Sequence, residues 1–403
     1  MKKVSFFTLG CKVNQYETQS IRERFLKQGF IESSGFNSDW CVINTCTVTS
    51  SADAKSRNII RHVIRKNPNS RILVTGCLAA GGRKSLAGIE GIDYIVTKDF
   101  FADSISDFKG RNRAFIKIQD GCDNFCSYCK VPYVRGRSRS RAENEILNEA
   151  VTLVEKGFKE IVLTGICLGS YPCLVKLLRK LEKIPGLLRI RLSSIEAGDV
   201  SSGLVNAIKK SDKLCPHLHI PIQSGDDAIL KRMRRGYTRK HYLGLIQRVK
   251  KEIKGLAVTT DVIVGFPGET QDQFNNTVSL VRTIKPLKVH IFPYSHRPAT
   301  YAAKFPGQVP LEIIKDRVNC LTRIAQDLSL SFRREFINKD ADVLIEGTAK
   351  FDPGYWEGFT RNYIKVMISK KAGMRGNPVP VKLKKIADSF VFAEPCDGRL
   401  DRL

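Results

Sequence analysis

The sequence predicts an α/β protein with three parts: an open parallel α/β domain, a central partial TIM-like (βα)6 barrel and a small all-β barrel. Up to residue 331, apolar runs of strand length alternate with amphipathic helical stretches, which is the βαβ rhythm of parallel sheets. Beyond that point, short alternating strands follow one another between DPG and GNP turns, which is typical of a small β-barrel. The predicted domains therefore span residues 1–108, 112–331 and 333–397.

Composition limits the classes of function. The 403 residues are 42% hydrophobic and 27% charged, as in soluble globular proteins. No stretch approaches the ~18 apolar residues that span a bilayer, so we expect a cytoplasmic protein without membrane association. Twelve unevenly spaced cysteines indicate metal binding or thiol chemistry and argue against a disulfide scaffold. A formal net charge of +27 indicates a polyanionic partner, most simply nucleic acid, with a generally basic surface as the alternative.

Three predicted strands of the first segment each end in a cysteine. The strands VSFFTLGC, DWCVINTC and RILVTGC end at Cys11, Cys46 and Cys77. Because the carboxyl ends of parallel strands lie along one edge of the sheet, where open α/β domains place ligands, we expect the three thiols to converge. Free cysteines are otherwise often small buried hydrophobic residues, and we assign that role to Cys41, which begins its strand.

The second segment contains six strand and helix pairs. The predicted strands are AFIKIQD, EIVLTGI, RIRLSSI, HLHIPI, VTTDVIVGF and KVHIFPYS. With right-handed crossovers these pairs form a partial barrel, whose active site should lie at the C-terminal ends of the strands. Cys122 follows the first of these strands directly, so the cysteine-rich loop that it opens belongs to the predicted active face.

That loop supplies three thiolates, Cys122, Cys126 and Cys129, in the spacing C-x3-C-x2-C. Structural zinc requires four ligands, and no histidine or cysteine lies between Cys129 and Cys167. A four-iron cluster bound by three thiolates leaves one iron open for an external ligand. The spacing therefore favours an iron–sulfur cluster, with zinc as the alternative.

The loop QDGCDNFCSYC resembles the cluster loop of radical S-adenosylmethionine (SAM) enzymes, and TDVIVGFPGET resembles the motif with which they pack on adenine. The resemblance implies that the amino and carboxylate groups of SAM chelate the open iron. It also implies SAM contacts from several strand ends. Some of these residues could equally form hydrogen bonds within the barrel rim, namely Thr164, Gly165, Ser194, Glu196, Gln223 and Arg234. The implied contacts are Tyr128, Thr164, Gly165, Ser194, Glu196, Gln223, Arg234, Ile263, Gly265 and Pro267.

Motifs along essentially the whole chain resemble the methylthiotransferases, a family of radical SAM enzymes. They are TLGCKVNQYET, NTCTVT, VTGC, QDGCDNFCSYC, LHIPIQSGDDAILKRMRR and GFTRNYIKV, the last of which resembles the family's TRAM module. TLGCKVNQYET, NTCTVT and LTGICLGSY are similar to the branch that modifies threonylcarbamoyladenosine beside the tRNA anticodon. The alternatives are the branches acting on isopentenyladenosine or on an aspartate of a ribosomal protein and, in a different class, a non-catalytic iron–sulfur protein that binds RNA.

The resemblance implies a tRNA-modifying enzyme with two [4Fe-4S] clusters. The cysteine-rich loop would bind the cluster that holds SAM. The strand-end cysteines Cys11, Cys46 and Cys77 would bind an auxiliary cluster whose open iron carries sulfur. One SAM would methylate that sulfur, and a second would supply the radical that activates C2 of the adenine. The implied partners are tRNA, a low-potential electron donor and a sulfur donor.

Two positions depart from the family pattern. A glutamine that usually follows the third N-terminal motif is absent, because Cys77 is followed by LAAGG. Cys167 stands where many relatives have histidine, so it is either an additional ligand or a tolerated substitution. The other cysteines receive no role; they are Cys173, Cys215, Cys320 and Cys396.

Two patterns of basic residues indicate contacts with RNA. In an extended loop, arginines at every second position would lie on one side and contact phosphates, with a solvated loop as the alternative. These arginines are Arg135, Arg137, Arg139 and Arg141. In the third segment, aromatic and basic residues alternate, a mixture that stacks bases and binds phosphates. These residues are Tyr355, Trp356, Phe359, Arg361, Tyr363 and Lys365.

Overall fold

The computed structural model describes residues 1–97, 104–370 and 378–396. The N-terminal strands are β1 (Lys3–Thr8), β2 (Ile31–Glu32), β3 (Trp40–Thr45), β4 (Arg71–Gly76) and β5 (Tyr94–Ile95), and the helices are α1 (Lys12–Lys27), α2 (Ser50–Lys66) and α3 (Gly82–Ser85). The strands form one parallel sheet in the order β2-β1-β3-β4-β5. The central strands β3 and β4 are buried after their first residue, as apolar strands covered on both faces should be.

The cysteine-rich loop follows the next strand. β6 (Arg113–Lys117) leads into a small antiparallel ribbon of β7 (Gln119–Asp120) and β8 (Arg139–Ser140), which encloses the loop and the short helix α4 (Val131–Arg135). The loop is therefore held at both ends by backbone pairing.

The remaining barrel elements alternate as predicted. The strands are β9 (Glu160–Thr164), β10 (Arg189–Leu192), β11 (His217–His219), β12 (Ala257–Val264) and β13 (Lys288–Pro293), and the helices are α5 (Glu143–Glu155), α6 (Leu174–Leu181), α7 (Ser202–Lys210), α8 (Asp227–Arg232), α9 (Arg239–Glu252) and α10 (Gln271–Ile284). The sheets β10-β9-β6 and β11-β12-β13 are joined by parallel bridges between Ile190 and Leu214 and between Ser194 and His219. The predicted six-stranded partial barrel is confirmed.

A long helix connects the partial barrel to a second, closed barrel. After α11 (Leu311–Arg334) come β14 (Asp340–Thr348), β15 (Tyr355–Thr360), β16 (Lys365–Ser369), β17 (Pro378–Ile386) and β18 (Val391–Pro395), which close in the order β14-β15-β16-β18-β17. This confirms the small all-β barrel. The predicted GNP turn lies partly outside the described residues, and residue 397 lies wholly outside them. The sequence boundary at 331–333 falls in the last turn of α11, and the domain bounds stay predictions.

Aromatic residues of the closed barrel pack on the floor of the partial barrel. The rings of Phe359 and Tyr363 stack with centroids 4.8 Å apart, and the guanidinium groups of Arg113 and Arg191 lie 5.1 Å from Phe359 and 4.7 Å from Tyr363, respectively. Arg361 donates to the carbonyl oxygen of Leu214 at 3.2 Å. The prediction that these three residues contact RNA is therefore wrong, because they join two domains.

The other members of that aromatic and basic set have different surroundings. Tyr355 stacks on Phe351, whose side chain is half exposed, and Lys370 lies 4.7 Å from the ring of Trp356. Lys365 forms an ion pair with Glu357. Tyr355, Trp356 and Lys365 make these contacts within the closed barrel, and their contact with RNA stays a prediction.

A fully buried carboxylate organises the interdomain floor. Glu160 accepts a 2.7 Å hydrogen bond from Arg191 and forms ion pairs with Arg113 and Arg189 at 3.7 and 3.6 Å. Arg189 also donates to the carbonyl oxygen of Asp342 in β14. Burial opposes ionisation of Glu160, but Arg191 and Arg113 outweigh it and lower its pKa to about 2. The interface is therefore built on charge as well as on apolar packing.

Within the described residues, no helix has the length and apolar composition to cross a bilayer.

Candidate active site

The three strand-end cysteines converge at one edge of the N-terminal sheet. β1 and β3 pair in register up to Thr8 and Asn44, and β3 and β4 up to Thr45 and Gly76. Cys46 and Cys77 directly follow β3 and β4, and Cys11 lies three residues beyond β1, as the N-cap of α1. Cys11 and Cys46 both interact electrostatically with Cys77, and a Cβ on Gly10, beside Cys11, would lie 3.1 Å from Cys46 Cβ. The expected convergence is present, and the role of these thiols as ligands stays a prediction.

Asn14, which the sequence reasoning missed, connects these strand ends. Its Nδ2 donates to the carbonyl oxygens of Leu9 and Thr45 at 3.0 and 2.9 Å and to Asn44 Oδ1 at 3.1 Å. The Cys11 thiol lies 3.4 Å from Asn14 Oδ1. A polar residue on the buried face of α1, three positions after a strand-end cysteine, was the available signal.

Arg135 joins the N-terminal cysteines to the barrel. Its Nε donates to Cys77 Sγ at 3.2 Å, and Nη1 contacts Glu17 and Asp120 at 2.9 and 3.0 Å. Its side chain is 2% exposed. Arg135 ends the helix α4, so the extended backbone assumed for the row of arginines is absent here, and this side chain is not available to phosphates.

The later arginines of that row also diverge. Arg141 donates from Nη1 to Tyr16 and Glu149 at 2.9 and 2.6 Å, which again links the barrel to α1. Arg137 is exposed and pairs with Asp123 at 3.2 Å. Arg139 lies in β8. Two of the four arginines therefore bind the two domains together, and the prediction of one phosphate-binding row is wrong.

A second arginine fixes the opposite side of the domain interface. Arg297 follows β13, is buried, donates to Thr47 Oγ1 at 2.8 Å and pairs with Asp53 at 3.3 Å. Ser50 N also donates to Ser295 Oγ at 2.8 Å. Since Thr47 directly follows Cys46, Arg135 and Arg297 fix the ends of β4 and β3, respectively, over the barrel mouth.

The cysteine-rich loop folds around its own backbone and the neighbouring strand ends. Cys122 N donates to Gly136 O at 3.1 Å, Cys129 N to Cys126 O at 3.0 Å, and Ser127 N to Met233 O at 3.0 Å. The Cys122 and Cys126 thiols act electrostatically on Cys129. The three thiols of the loop are therefore neighbours on the predicted active face.

Arg235 contacts this loop, although the sequence reasoning chose its neighbour. Arg235 donates from Nη1 to Cys126 Sγ at 3.3 Å and forms an ion pair with Glu196. Arg234 is exposed and lies 3.7 Å above the ring of Tyr301. Adjacent arginines in KRMRRGY point in different directions, which the sequence alone does not resolve.

A cleft of about 210 Å³ separates the loop from the N-terminal domain. Three predicted SAM contacts, Tyr128, Gln223 and Ile263, line it. The full lining is Val48, Thr49, Tyr128, Cys129, Lys130, Gln223, Asp261, Ile263, Phe292, Pro293, Tyr294 and Ser295. The cleft is thus formed by both domains and lies beside both cysteine sets.

The other predicted SAM contacts lie at or just beyond the ends of β9, β10 and β12, and their roles stay predictions; they are Thr164, Gly165, Ser194 and Pro267. Gly265 has an additional structural reason to be glycine. Its φ is +76°, and a Cβ there would lie 2.4 Å from Ile314 Cγ1 in α11. Packing against α11 therefore requires glycine irrespective of any contact with adenine.

The distances between the thiols indicate which kind of metal centre they fit. Among the described residues, His219, Asp261 and His290 form the one group of Cys, His, Asp or Glu side chains in which three ligand atoms all lie within 4.8 Å of one another. Neither cysteine trio is that compact, whereas tetrahedral zinc with bonds of about 2.3 Å holds its sulfurs roughly 4 Å apart. The wider arrangement fits three corners of a four-iron cluster better than zinc.

Protonation of the thiols depends on their burial. Burial raises the pKa of Cys77 and of Cys129 to about 12, so iron must displace protons from both. A hydrogen bond from Cys167 lowers the pKa of Cys122 to about 7. Cys167 is buried, and its backbone N donates to Gln119 Oε1 at 2.8 Å. Its thiol therefore lies at the cysteine-rich loop, where either of its two predicted roles is possible.

Comparisons with known proteins identify the class. The Radical SAM superfamily model matches residues 116–281, and the model described as Uncharacterized protein family UPF0004 matches residues 3–97. The structure of the radical S-adenosylmethionine methyltransferase TsrM from Kitasatospora setae is similar with a TM-score of 0.54 at 13% identity, covering 74% of this chain and 76% of that one. The fold and the cysteine-rich loop define a radical SAM enzyme, a class that uses a [4Fe-4S] cluster and SAM.

Sequence relatives narrow this class. Threonylcarbamoyladenosine tRNA methylthiotransferase MtaB of Bacillus subtilis (strain 168) is 39% identical, covering 96% of this chain and 94% of the relative. tRNA-2-methylthio-N(6)-dimethylallyladenosine synthase of Desulfitobacterium hafniense (strain Y51) is 33% identical, covering 98% and 97%. The chain belongs to the radical SAM methylthiotransferase family.

Proposed function

We propose that this chain inserts a methylthio group at C2 of N6-threonylcarbamoyladenosine next to the anticodon of tRNA, in the cytoplasm. The observation that carries the proposal is the shared cleft. Cys129 of the cysteine-rich loop and Val48, two residues after Cys46, both line it. A base in this cleft would be in reach of both cysteine sets. Relatives named for the threonylcarbamoyladenosine product are 36–39% identical, whereas those named for the dimethylallyladenosine product are 33–35% identical.

The six cysteines would hold the two clusters. Cys122, Cys126 and Cys129 would bind the cluster that receives SAM, and the strand-end trio would bind the auxiliary cluster. When bound, the clusters and SAM supply the radical and sulfur chemistry that replaces the C2–H bond of adenine by a C–S bond. A low-potential electron donor and a sulfur donor are required as further partners.

The side chains of the cleft would position the base and exclude water. Tyr128, Ile263 and Phe292 provide apolar surface for flat rings. Arg135 and Arg297 fix the N-terminal cysteines over the barrel mouth, so the distance between the two cysteine sets is set by buried ion pairs. Positioning of this kind lowers the entropic part of a reaction barrier.

The positive charge of the chain fits a tRNA substrate. The net charge is +27, and residues 331–403 hold 14 Lys and Arg against 10 Asp and Glu, so most of the excess lies on the first two segments. A polyanion would therefore contact the face that carries the cleft as well as the C-terminal barrel.

The experiment is mass spectrometry of tRNA nucleosides from cells that lack this chain. We expect loss of 2-methylthio-N6-threonylcarbamoyladenosine and its return on complementation with the wild type but not with Cys122→Ala. Retention of that nucleoside would refute the proposed substrate. Loss of the isopentenyl counterpart instead would identify the other branch.

A further inference from the structure

The interior of the central barrel holds a polar cluster that the proposed chemistry does not use. His219, Asp261 and His290 each place one side-chain atom within 4.8 Å of the others. His219 Nε2 lies 3.2 Å from Asp261 Oδ2, and His219 Nδ1 lies 2.8 Å from Thr259 Oγ1. Asp261 also lines the active cleft. The cluster is therefore continuous with the space in which the base would bind.

Strand register places the cluster below the cleft wall. Ile263 pairs with Phe292, and Asp261 pairs with His290, two residues earlier on the same strands. Residues two apart in a strand share a face, and each residue rises about 3.3 Å, so the second pair lies roughly 7 Å deeper in the barrel. A group attached to a base held against Phe292 would reach this depth.

Lys12 adds a positive charge to this interior. It follows Cys11 directly, is half-buried, and acts electrostatically on His290 and His217. Among the described residues, the Lys12 side chain has no hydrogen bond or ion pair, and its largest electrostatic partner is the Tyr363 side chain. A half-buried ammonium without a carboxylate partner is a site for an anion.

The surroundings favour an anion over a metal ion. Burial, and then the charge of Lys288, lower the pKa of His290 to about 4, with Lys12 adding to the effect. A cation bound to these imidazoles would be repelled by the same two lysines. On the floor, three arginines share Glu160 and Glu346, so positive charge exceeds negative charge there as well.

We propose that Lys12 binds the carboxylate of the N6 substituent of the substrate base and that His219 and Asp261 bind its hydroxyl group. The inference rests on the proposed function, because a threonylcarbamoyl group carries one carboxylate and one hydroxyl, and an isopentenyl group carries neither. The neutral His290 ring supplies a second donor to the carboxylate. Specificity of this kind is strong, since a buried charge left without its partner is costly.

The test uses the reconstituted enzyme and three synthetic anticodon stem-loops, which carry threonylcarbamoyladenosine as the free acid, its methyl ester, or isopentenyladenosine. We expect the wild type to prefer the acid by about 30-fold in kcat/KM. Lys12→Met should lose about the same factor on the acid and should no longer distinguish acid from ester. Lys12→Arg should recover part of the preference.

Controls separate recognition from damage to the cluster. Iron content is measured for every variant because Lys12 adjoins Cys11. Lys27→Met, at the exposed end of α1, is the matched control and should behave as wild type. If Lys12→Met does not retain iron, two other measurements test the inference. One is the comparison of acid and ester in the wild type, and the other is His290→Leu, which should reduce the preference for the acid.

Three outcomes overturn the inference. The first is a wild type that processes acid and ester equally. The second is Lys12→Met with full iron content and an unchanged preference for the acid. In both, the proposed function stands, because the wild type acts on the threonylcarbamoyl substrate. The third is a wild type that acts on isopentenyladenosine and not on the acid, and this overturns the proposed function as well.

Discussion

Arg135 Nε lies 3.2 Å from Cys77 Sγ, and the same guanidinium contacts Asp120, two residues before Cys122. One buried side chain thus connects Cys77 to the segment that leads into the cysteine-rich loop. Such neighbours of a metal ligand orient it and supply charge, and their removal weakens metal affinity by about 10- to 100-fold in other sites.

We predict that Arg135→Gln lowers the iron content of the reconstituted protein from about eight toward four per chain. The substitution removes the donor to Cys77 and leaves Lys117 as the shared cation of Glu17 and Asp120. Arg137→Gln changes an exposed member of the same row and should retain all the iron. Equal iron content in the two variants would contradict the assigned role of Arg135.

The cysteine assignment predicts a definite iron stoichiometry. Anaerobic reconstitution of the wild type should give about eight irons per chain. Replacing Cys11, Cys46 and Cys77 by alanine should leave about four, because the loop cluster persists. Replacing Cys173, Cys320 and Cys396 by alanine should leave eight. Four irons in the wild type, unchanged by the first triple substitution, would eliminate the auxiliary cluster.

The lowered pKa of the buried Glu160 carboxyl group leads us to predict that stability depends on pH. Its pKa falls from 4.5 in the unfolded chain to about 2 in the fold. Its stabilising contribution is therefore fully present above about pH 4.5 and is lost as the pH falls through about 2. The shift corresponds to roughly 3 kcal/mol. The urea midpoint of the wild type should fall toward that of Glu160→Gln as the pH falls from about 4.5 to about 2. Glu312→Gln, on an exposed helix turn, should keep the wild-type profile, and a constant gap between wild type and Glu160→Gln would contradict the assignment.

Tyr363 predicts a loss of stability and no direct effect on RNA binding. Its ring lies between Phe359, His217 and Arg191 at the domain interface. Tyr363→Ala should destabilise the protein by about 3 kcal/mol, as measured by urea unfolding. Its affinity for tRNA, measured under conditions where it is folded, should be unchanged. Weaker tRNA binding without destabilisation would restore the original hypothesis of base stacking. Phe351→Ala removes an exposed ring of the same barrel and should leave stability nearly unchanged.

Much of the architecture could be predicted because periodicity reports burial. Alternating strands and helices indicated the parallel sheet and partial barrel, and the strand-end positions of Cys11, Cys46 and Cys77 predicted their convergence from the rule that parallel strands end together. The prediction that the four arginines form one row was wrong because it assumed an extended backbone. Every-second spacing implies one face only in extended backbone, and α4 ends at Arg135.

By itself, the sequence determined the fold class, the two sets of three cysteines and the resemblance that names the family. These features depend on local spacing and on rules for parallel strands. Only the tertiary structure decided which side chains contact each set: Arg135 contacts Cys77, and Arg235 contacts Cys126. These contacts join residues that are far apart in the chain, and no periodicity in the sequence encodes the partner of a buried charge.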